Sequence, residues 1–180
     1  MSAVKNRALK QLLWIGMGSI AMFFAGLTSA YIVRKAEGNW TEFILPEWFW
    51  YSTITITLSS VLLILANQKI KKDESVFSLI LSVFMLGLLF SFFQLNGWEQ
   101  LTNQGVYLTG EGSNVAGSFL YVLTLSHLVH LIGGLIALLV TAINAKRKKY
   151  SVENHLGLEI TSIYWHFLSI LWIYLFCFLK

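Results

Sequence analysis

The sequence predicts an all-α fold, that of a polytopic membrane protein with five transmembrane helices. Only 12% of its 180 residues are charged and 56% are hydrophobic, whereas a soluble domain carries about 25% charged residues. Five apolar segments reach the length of about 20 residues that a membrane-spanning helix needs. Alternate connections along the chain are strongly basic, which places most basic residues on one side of the membrane. We therefore expect a single membrane domain over residues 1–180.

Each of the five predicted spans has its own justification. The first is uncharged and too long for the hydrophobic region of a cleavable signal peptide, so we interpret it as a retained span. The second contains a strand-like alternation at residues 52–57, but a lone strand cannot satisfy its backbone groups in lipid. The third and fourth are uncharged, and the fifth is apolar apart from two ionisable side chains. In chain order, the spans cover residues 12–33, 48–66, 76–95, 117–143 and 156–179.

The distribution of basic residues predicts the orientation in the membrane. Ten of the 13 lysines and arginines fall on one side, and only Arg34, Lys35 and Lys180 fall on the other. Connections rich in Lys and Arg remain in the cytoplasm. We therefore expect a cytoplasmic N-terminus and a C-terminus on the opposite side. The ten residues are Lys5, Arg7, Lys10, Lys69, Lys71, Lys72, Lys146, Arg147, Lys148 and Lys149.

The last two spans carry ionisable side chains inside the apolar sequence. His127 and His130 lie on the fourth span, while Glu159 and His166 lie seven residues apart on the fifth and share one helical face. Residues of this type face protein or water in a bilayer and often mark function. From their expected depths, we predict that His130 approaches Glu159 and that His127 approaches His166. The glycine pair at 133–134 would permit close helix contact there.

These residues allow three interpretations. In the first, they form structural hydrogen bonds between the fourth and fifth helices, as buried polar groups commonly do in membrane bundles. In the second, His127 and His166 ligate a haem and the chain is a small b-type membrane cytochrome. In the third, the group forms a proton or ion path, although the first three spans contain no acidic residue to continue it. An independent transporter is a further class, but five spans without a repeat do not favour inverted-repeat architecture.

Other polar residues lie near the expected membrane interfaces. Lys10, Arg34 and Lys71 are placed where basic side chains contact lipid headgroups. Gln94 lies near the end of the third span, where we expect a hydrogen bond at the surface. The lone Cys177 excludes an intramolecular disulfide framework and a cysteine-ligated metal cluster. The net charge of +4 is explained by the basic connections, so no nucleic-acid partner is expected.

Several segments resemble subunit III of the haem-copper oxidases. SHLVHLIGG, NHLGLEITSIYWHF and LWIYLF are similar to the last two helices of that family, and GSIAMFFAGLTSAYIVR and FQLNGWEQL are similar to its third and fourth helices. The combined pattern is His127, His130, Glu159, Trp165 and His166. The resemblance covers nearly the whole chain. It implies the short, five-helix bacterial form, which lacks the first two of seven helices.

The resemblance implies a subunit without catalytic, metal or cofactor-binding residues of its own. Such a subunit packs on the catalytic subunit I, together with subunit II and, where present, subunit IV, and the partner subunits carry the haem and copper. It also implies structural phospholipid in a cleft between the first two helices and the remaining bundle, and support of proton uptake and durability of subunit I. The expected location is the bacterial inner (cytoplasmic) membrane, and the complex is compatible with a respiratory supercomplex that includes a reductase.

Two departures limit what the resemblance implies. The family often has a carboxylate in its third helix where this chain has Ile20, and an aspartate where this chain has Ser169. Roles of those carboxylates therefore do not transfer, and the retained pattern supports fold and assembly more than chemistry. Within the same superfamily, subunit III of a quinol oxidase and the accessory subunit of nitric oxide reductase are alternatives, because other subunits recognise the electron donor.

Overall fold

The computed structural model describes residues 3–38, 40, 43–72, 74–110, 112–152 and 154–180. All regular structure in these residues is helical, and each of the five helices is long and apolar enough to cross a membrane. The all-α fold and the five predicted spans are therefore confirmed. The helices are α1 (Ala3–Ala36), α2 (Trp48–Ile70), α3 (Phe77–Asn103), α4 (Val115–Lys146) and α5 (Leu156–Leu179).

Most helices extend beyond their predicted spans: α1 does so mainly at its start, and α3 does so at its end. Its span was predicted to end at residue 95, but the helix continues to Asn103. The extension is stabilised by contacts with α4, since Trp98 Nε1 donates to Thr124 Oγ1 at 3.0 Å. A hydropathy pattern marks only the apolar part of a helix, whereas backbone hydrogen bonding continues into the polar turns.

Helices α2 to α5 form a closed four-helix bundle. Helix α2 packs against α3 and α5, and α4 packs against the same two helices. Each helix therefore buries one face in a common apolar core. Because lipid is itself apolar, van der Waals packing rather than the hydrophobic effect holds the helices together. The largest fully buried side chains include Trp165, Trp172, Phe49, Phe90, Ile56 and Leu63.

Helix α1 lies outside this bundle, against α4 and α5. Phe24 of α1 forms a small separate core with Leu123, Leu171 and Leu175. In the described residues, no Cα atom of α1 lies within 8 Å of a Cα atom of α2. The expectation that the first two helices form a pair beside a three-helix bundle is therefore wrong: α2 belongs to the bundle, because it shares buried polar contacts with α3 and α5.

One end of the molecule collects most of the basic residues. We call it the basic end; it comprises the start of α1, the α2–α3 connection and the α4–α5 connection. It carries the ten lysines and arginines on which the orientation was predicted. The opposite end comprises the α1–α2 and α3–α4 connections and the C-terminus.

Candidate functional site

His127 is completely buried at the centre of the four-helix bundle. Its Nε2–H donates to the carbonyl oxygen of Leu168 on α5 at 3.0 Å. The ring lies beside Phe90 and Trp172, with centroid separations of 5.7 and 5.1 Å. Among the described residues, Nδ1 has no hydrogen-bond partner. His127 therefore joins α4 to α5 through a backbone carbonyl and does not bond to His166.

His130 faces α1 rather than Glu159. Its Nδ1–H donates to Ser126 O at 2.7 Å, within its own helix. The ring packs against Phe24 at a centroid separation of 5.8 Å. Its backbone carbonyl accepts a hydrogen bond from the Tyr164 hydroxyl at 3.1 Å. The residue thus contributes to the packing of α1 on α4, and the predicted approach of His130 to Glu159 is not observed.

Glu159 forms an ion pair with Lys10 of α1. Lys10 Nζ lies 2.6 Å from Glu159 Oε1, and the two side chains are 38% and 39% exposed. The pair joins the first turn of α5 to α1 at the basic end. A carboxylate in an otherwise apolar helix is thereby neutralised by a partner from another helix, which lowers the cost of placing it near hydrocarbon.

His166 faces α2 and lies about midway along α5. Its Nδ1 is hydrogen-bonded to the Ser60 hydroxyl. One turn towards the basic end, Asn67 Nδ2 donates to Ser162 Oγ at 2.7 Å. A cavity of about 300 Å³ opens beside these groups. It is lined by Asn67, Lys71, His155, Glu159, Ser162, Ile163 and His166.

Trp165 occupies the centre of the bundle and contacts three other helices. It is fully buried, and its Nε1–H donates to Ser59 Oγ of α2 at 2.9 Å. A Cβ placed on Gly87 of α3 would lie 2.7 Å from the indole, and one on Gly134 of α4 would lie 3.1 Å from it. The predicted close contact therefore occurs at Gly134, whereas Gly133 meets only the Tyr164 hydroxyl, at 3.8 Å.

Tryptophan-to-hydroxyl hydrogen bonds recur between the helices. Besides Trp165, Trp172 of α5 donates to Thr53 of α2 at 2.9 Å, and Trp98 of α3 donates to Thr124 of α4 at 3.0 Å. These N–H groups were not predicted as interhelical bonds. A sequence signal for the two α5 bonds exists: Trp165 and Trp172 are seven residues apart and therefore lie on one helical face.

Gln94 was expected at the surface but is fully buried. Its Nε2 donates to Ser52 Oγ of α2 at 2.9 Å. The expectation was wrong because α3 continues for two turns beyond the predicted span, which places Gln94 inside the bundle. A buried amide must be hydrogen-bonded to be tolerated, so Gln94 ties α3 to α2.

The three predicted headgroup contacts have different surroundings. Lys10 bonds to Glu159, as described above. Arg34 Nη1 lies 3.0 Å from Glu37 Oε2 and lines a groove of about 550 Å³ between α1 and α4. Lys71 lines the 300 Å³ cavity at the basic end. Arg34 and Lys71 thus each line an opening at the surface of the chain.

The intramembrane polar residues therefore act as contacts between helices. His127 and His166 point to different neighbours, Leu168 and Ser60, so they do not frame a common haem site. In the described part of the chain, no three His, Cys, Asp or Glu side chains are grouped closely enough to hold a metal ion. The chemistry that the geometry supports is hydrogen bonding that fixes helix positions.

Comparison with known proteins identifies the family. The family model for cytochrome c oxidase subunit III matches residues 48–180. A relative named Probable cytochrome c oxidase subunit 3 from Nocardia farcinica is 34% identical, over 90% of this chain and 82% of that protein. The protein of the same name from Mycobacterium tuberculosis is 30% identical over the same shares. Cytochrome c oxidase subunit 3 from Thermostichus vulcanus is 25% identical, over 88% of this chain and 79% of that protein. The chain, a multi-pass membrane protein whose polar residues join its helices, belongs to the cytochrome c oxidase subunit III family, the noncatalytic subunit of that oxidase.

Proposed function

We propose that this chain stabilises the catalytic subunit I of an oxygen-reducing cytochrome c oxidase and supports its assembly. The family match over residues 48–180 carries this proposal. The use of His127, Glu159 and Trp165 in contacts within the chain supports it further, because these residues give a rigid bundle rather than a reactive site. Haem and copper belong to the partner subunits in this proposal.

The proposed location is the bacterial cytoplasmic membrane, with the basic end in the cytoplasm. The concentration of Lys and Arg at that end supports this orientation. Besides the Lys10–Glu159 ion pair, to which we assign a structural role, the basic end holds Lys71 and His155, two titratable groups that line one cavity. We propose that this surface supports proton uptake by subunit I, since titratable groups at a surface exchange protons with bulk water.

The experiment that tests the proposal removes the chain and restores it. Membranes from cells without this chain are compared with membranes from complemented cells for the haem content of the oxidase, initial oxygen consumption and its decay during turnover. We expect less assembled oxidase and faster loss of activity without the chain, and recovery on complementation. Equal yield, equal activity and equal durability in the two strains would contradict the proposal.

We also propose that structural phospholipid binds in the groove between α1 and α4. The groove has a volume of about 550 Å³, and Arg34 lines it near the end of the molecule opposite the basic end. Small residues of α1 line one side of the groove and apolar side chains of α4 line the other, which suits an acyl chain. The guanidinium of Arg34 suits a phosphate group. Its lining residues are Gly26, Ser29, Ala30, Val33, Arg34, Glu37, Val115 and Phe119.

Native mass spectrometry of the complex tests the lipid site. Ala30→Leu fills the groove and is expected to release bound phospholipid, whereas the control Ala21→Leu, on an exposed position that does not line the groove, is expected to retain it. Arg34→Gln is expected to weaken retention of anionic lipid in particular. Equal lipid content in all of these variants would contradict the site.

A further inference from the structure

The cavity of about 300 Å³ between the end of α2 and the first half of α5 is polar. It begins at the basic end, where Lys71 and His155 line it, and its lining continues along α5 as far as His166. Six of its seven lining residues are polar, and the seventh is Ile163. Polar side chains in the hydrocarbon region are costly and face protein or water, so this lining requires a polar occupant.

His166 marks the inner end of the cavity. It lies ten residues into α5, about 15 Å from the start of the helix, which is roughly half of a hydrocarbon core of about 30 Å. The next residue outward on the same face is Ile170, which is exposed and does not line the cavity. The polar lining therefore reaches mid-membrane depth from one side only.

Four polar groups of the lining lack a partner among the described residues. His155 Nδ1 is buried and unbonded. Asn67 uses its Nδ2 for both of its bonds, to Leu63 O at 3.1 Å and to Ser162 Oγ at 2.7 Å, so no group donates to its Oδ1. The Ser162 hydroxyl accepts that bond and donates to no described residue. His166 is bonded through Nδ1, and its Nε2 is not engaged.

Water is the occupant that satisfies these groups. A water molecule both donates and accepts, and a buried water typically makes about three hydrogen bonds. Each water takes about 30 Å³ in the liquid, so the cavity holds several. An acyl chain would leave the same groups unsatisfied, at a substantial energetic cost. A lipid headgroup pairs with Lys71 at the membrane surface and does not extend to His166 at mid-depth.

We propose that this cavity is a water-filled inlet, which opens at the basic end and ends at the imidazole of His166. Through it, His166 Nε2 exchanges protons with bulk water although the residue lies at mid-membrane depth. The charged groups near the mouth are Lys71, Glu159 and Lys10, and the last two are paired at 2.6 Å. The inlet requires no partner subunit, and only its location on the cytoplasmic side rests on the proposed orientation of the chain.

Thiol labelling in the membrane-bound complex tests the inlet. Cys177, the only cysteine of the chain, is replaced by serine. A single cysteine is then introduced by Ile163→Cys, inside the cavity, or by the matched control Ile170→Cys, on the same helical face outside it. Vesicles of each orientation are treated with a membrane-impermeant quaternary-ammonium methanethiosulfonate, and labelling of this chain is measured by mass spectrometry.

We expect Ile163→Cys to be labelled at least about tenfold faster than Ile170→Cys, because the thiolate is the reactive form and needs water to solvate it. Equal labelling rates would overturn the inference. Labelling that appears only after detergent has extracted the lipid would show that a headgroup fills the cavity, and would also overturn it.

The side from which the reagent acts separates the inlet from the proposed orientation. Reporter fusions locate the basic end independently. Labelling of Ile163→Cys from the side opposite to the basic end would overturn the inlet. If fusions and labelling agree that the basic end faces the periplasm, the proposed orientation is wrong and the inlet stands.

His166→Cys tests the depth of the inlet. The introduced thiol is expected to be labelled from the basic end, and adding Ile163→Trp, which narrows the cavity, is expected to slow that labelling. Ile170→Trp, on the outer side of His166, is the control and should leave the rate unchanged. Both tryptophans replace side chains that are at least partly exposed, so the fold of the chain is kept. Absence of labelling in His166→Cys, or slowing by Ile170→Trp alone, would overturn the inference.

Discussion

Lys10 Nζ lies 2.6 Å from Glu159 Oε1, and this pair joins the outlying helix α1 to the bundle at the basic end. It places the one carboxylate of α5 in a contact between helices. Because both side chains are more than a third exposed, the pair is worth only about 0.2–1 kcal/mol by itself. Its main effect is to fix where α1 lies on α5.

Glu159→Gln is expected to assemble nearly normally, whereas Glu159→Ala is expected to assemble less well. A glutamine oxygen still accepts a hydrogen bond from Lys10 but cannot carry a proton. Assembled complex and oxygen consumption per assembled complex are measured for both variants, and the exchange Lys10→Glu with Glu159→Lys serves as the control that restores the pair. Normal assembly with a large loss of turnover in Glu159→Gln would assign Glu159 a proton-linked role and refute the structural one.

Gly87→Ala is expected to destabilise the chain by about 1–3 kcal/mol, the usual cost of overpacking a core. The added Cβ would lie 2.7 Å from both the Trp165 indole and Leu135. Gly18→Ala is the matched control, because a Cβ there meets nothing within 4 Å. Thermal unfolding in detergent measures both, and equal midpoints would show that Trp165 does not require the space at Gly87.

Ser59→Ala is expected to cost about 1–3 kcal/mol, because it leaves the Trp165 N–H buried without an acceptor. Ser82→Ala is the control: Ser82 is exposed and its hydroxyl bonds only to Ser78 O of its own helix. The control should change stability by less than about 0.5 kcal/mol. Denaturant titration of the two variants checks this, and similar stability losses would argue against the Trp165–Ser59 bond as a specific contact.

Reporter fusions are expected to show the basic end in the cytoplasm. Fusions after Lys72 and Lys149 should report a cytoplasmic location, and a fusion after Gly105, just beyond the end of α3, should report the periplasm. Enzymatic reporters active on only one side of the membrane make the measurement. A cytoplasmic signal after Gly105 would contradict the five-span orientation.

The purified chain is expected to show no Soret absorption. The His127 ring packs between Phe90 and Trp172, and His166 is hydrogen-bonded to Ser60. A haem would have to displace both sets of contacts. A visible spectrum of the chain alone measures this. A Soret band that disappears in His127→Ala would establish the cytochrome interpretation instead.

The sequence by itself determined the fold class, the five spans and the family. Apolar length alone specifies a membrane helix, because lipid offers no partner for unpaired backbone groups. The local motifs around His130, Glu159 and Trp165 carry the resemblance to oxidase subunit III. Each motif is a continuous stretch of sequence, so it can be recognised without the structure. The close approach at Gly134 was also predictable, because a small residue next to a polar one is typical of a helix contact in lipid.

Only the tertiary structure decided which polar residues are partners. Spacing along one helix defines a face, but it does not say which helix that face meets or how far α3 continues as helix. The partner of Glu159 therefore proved to be Lys10, 149 positions away, and Gln94 proved to be buried against Ser52. The sequence also did not predict that α1 lies outside the bundle. An apolar helix surface can face either lipid or protein, so only its packing against particular neighbours shows which surface is buried.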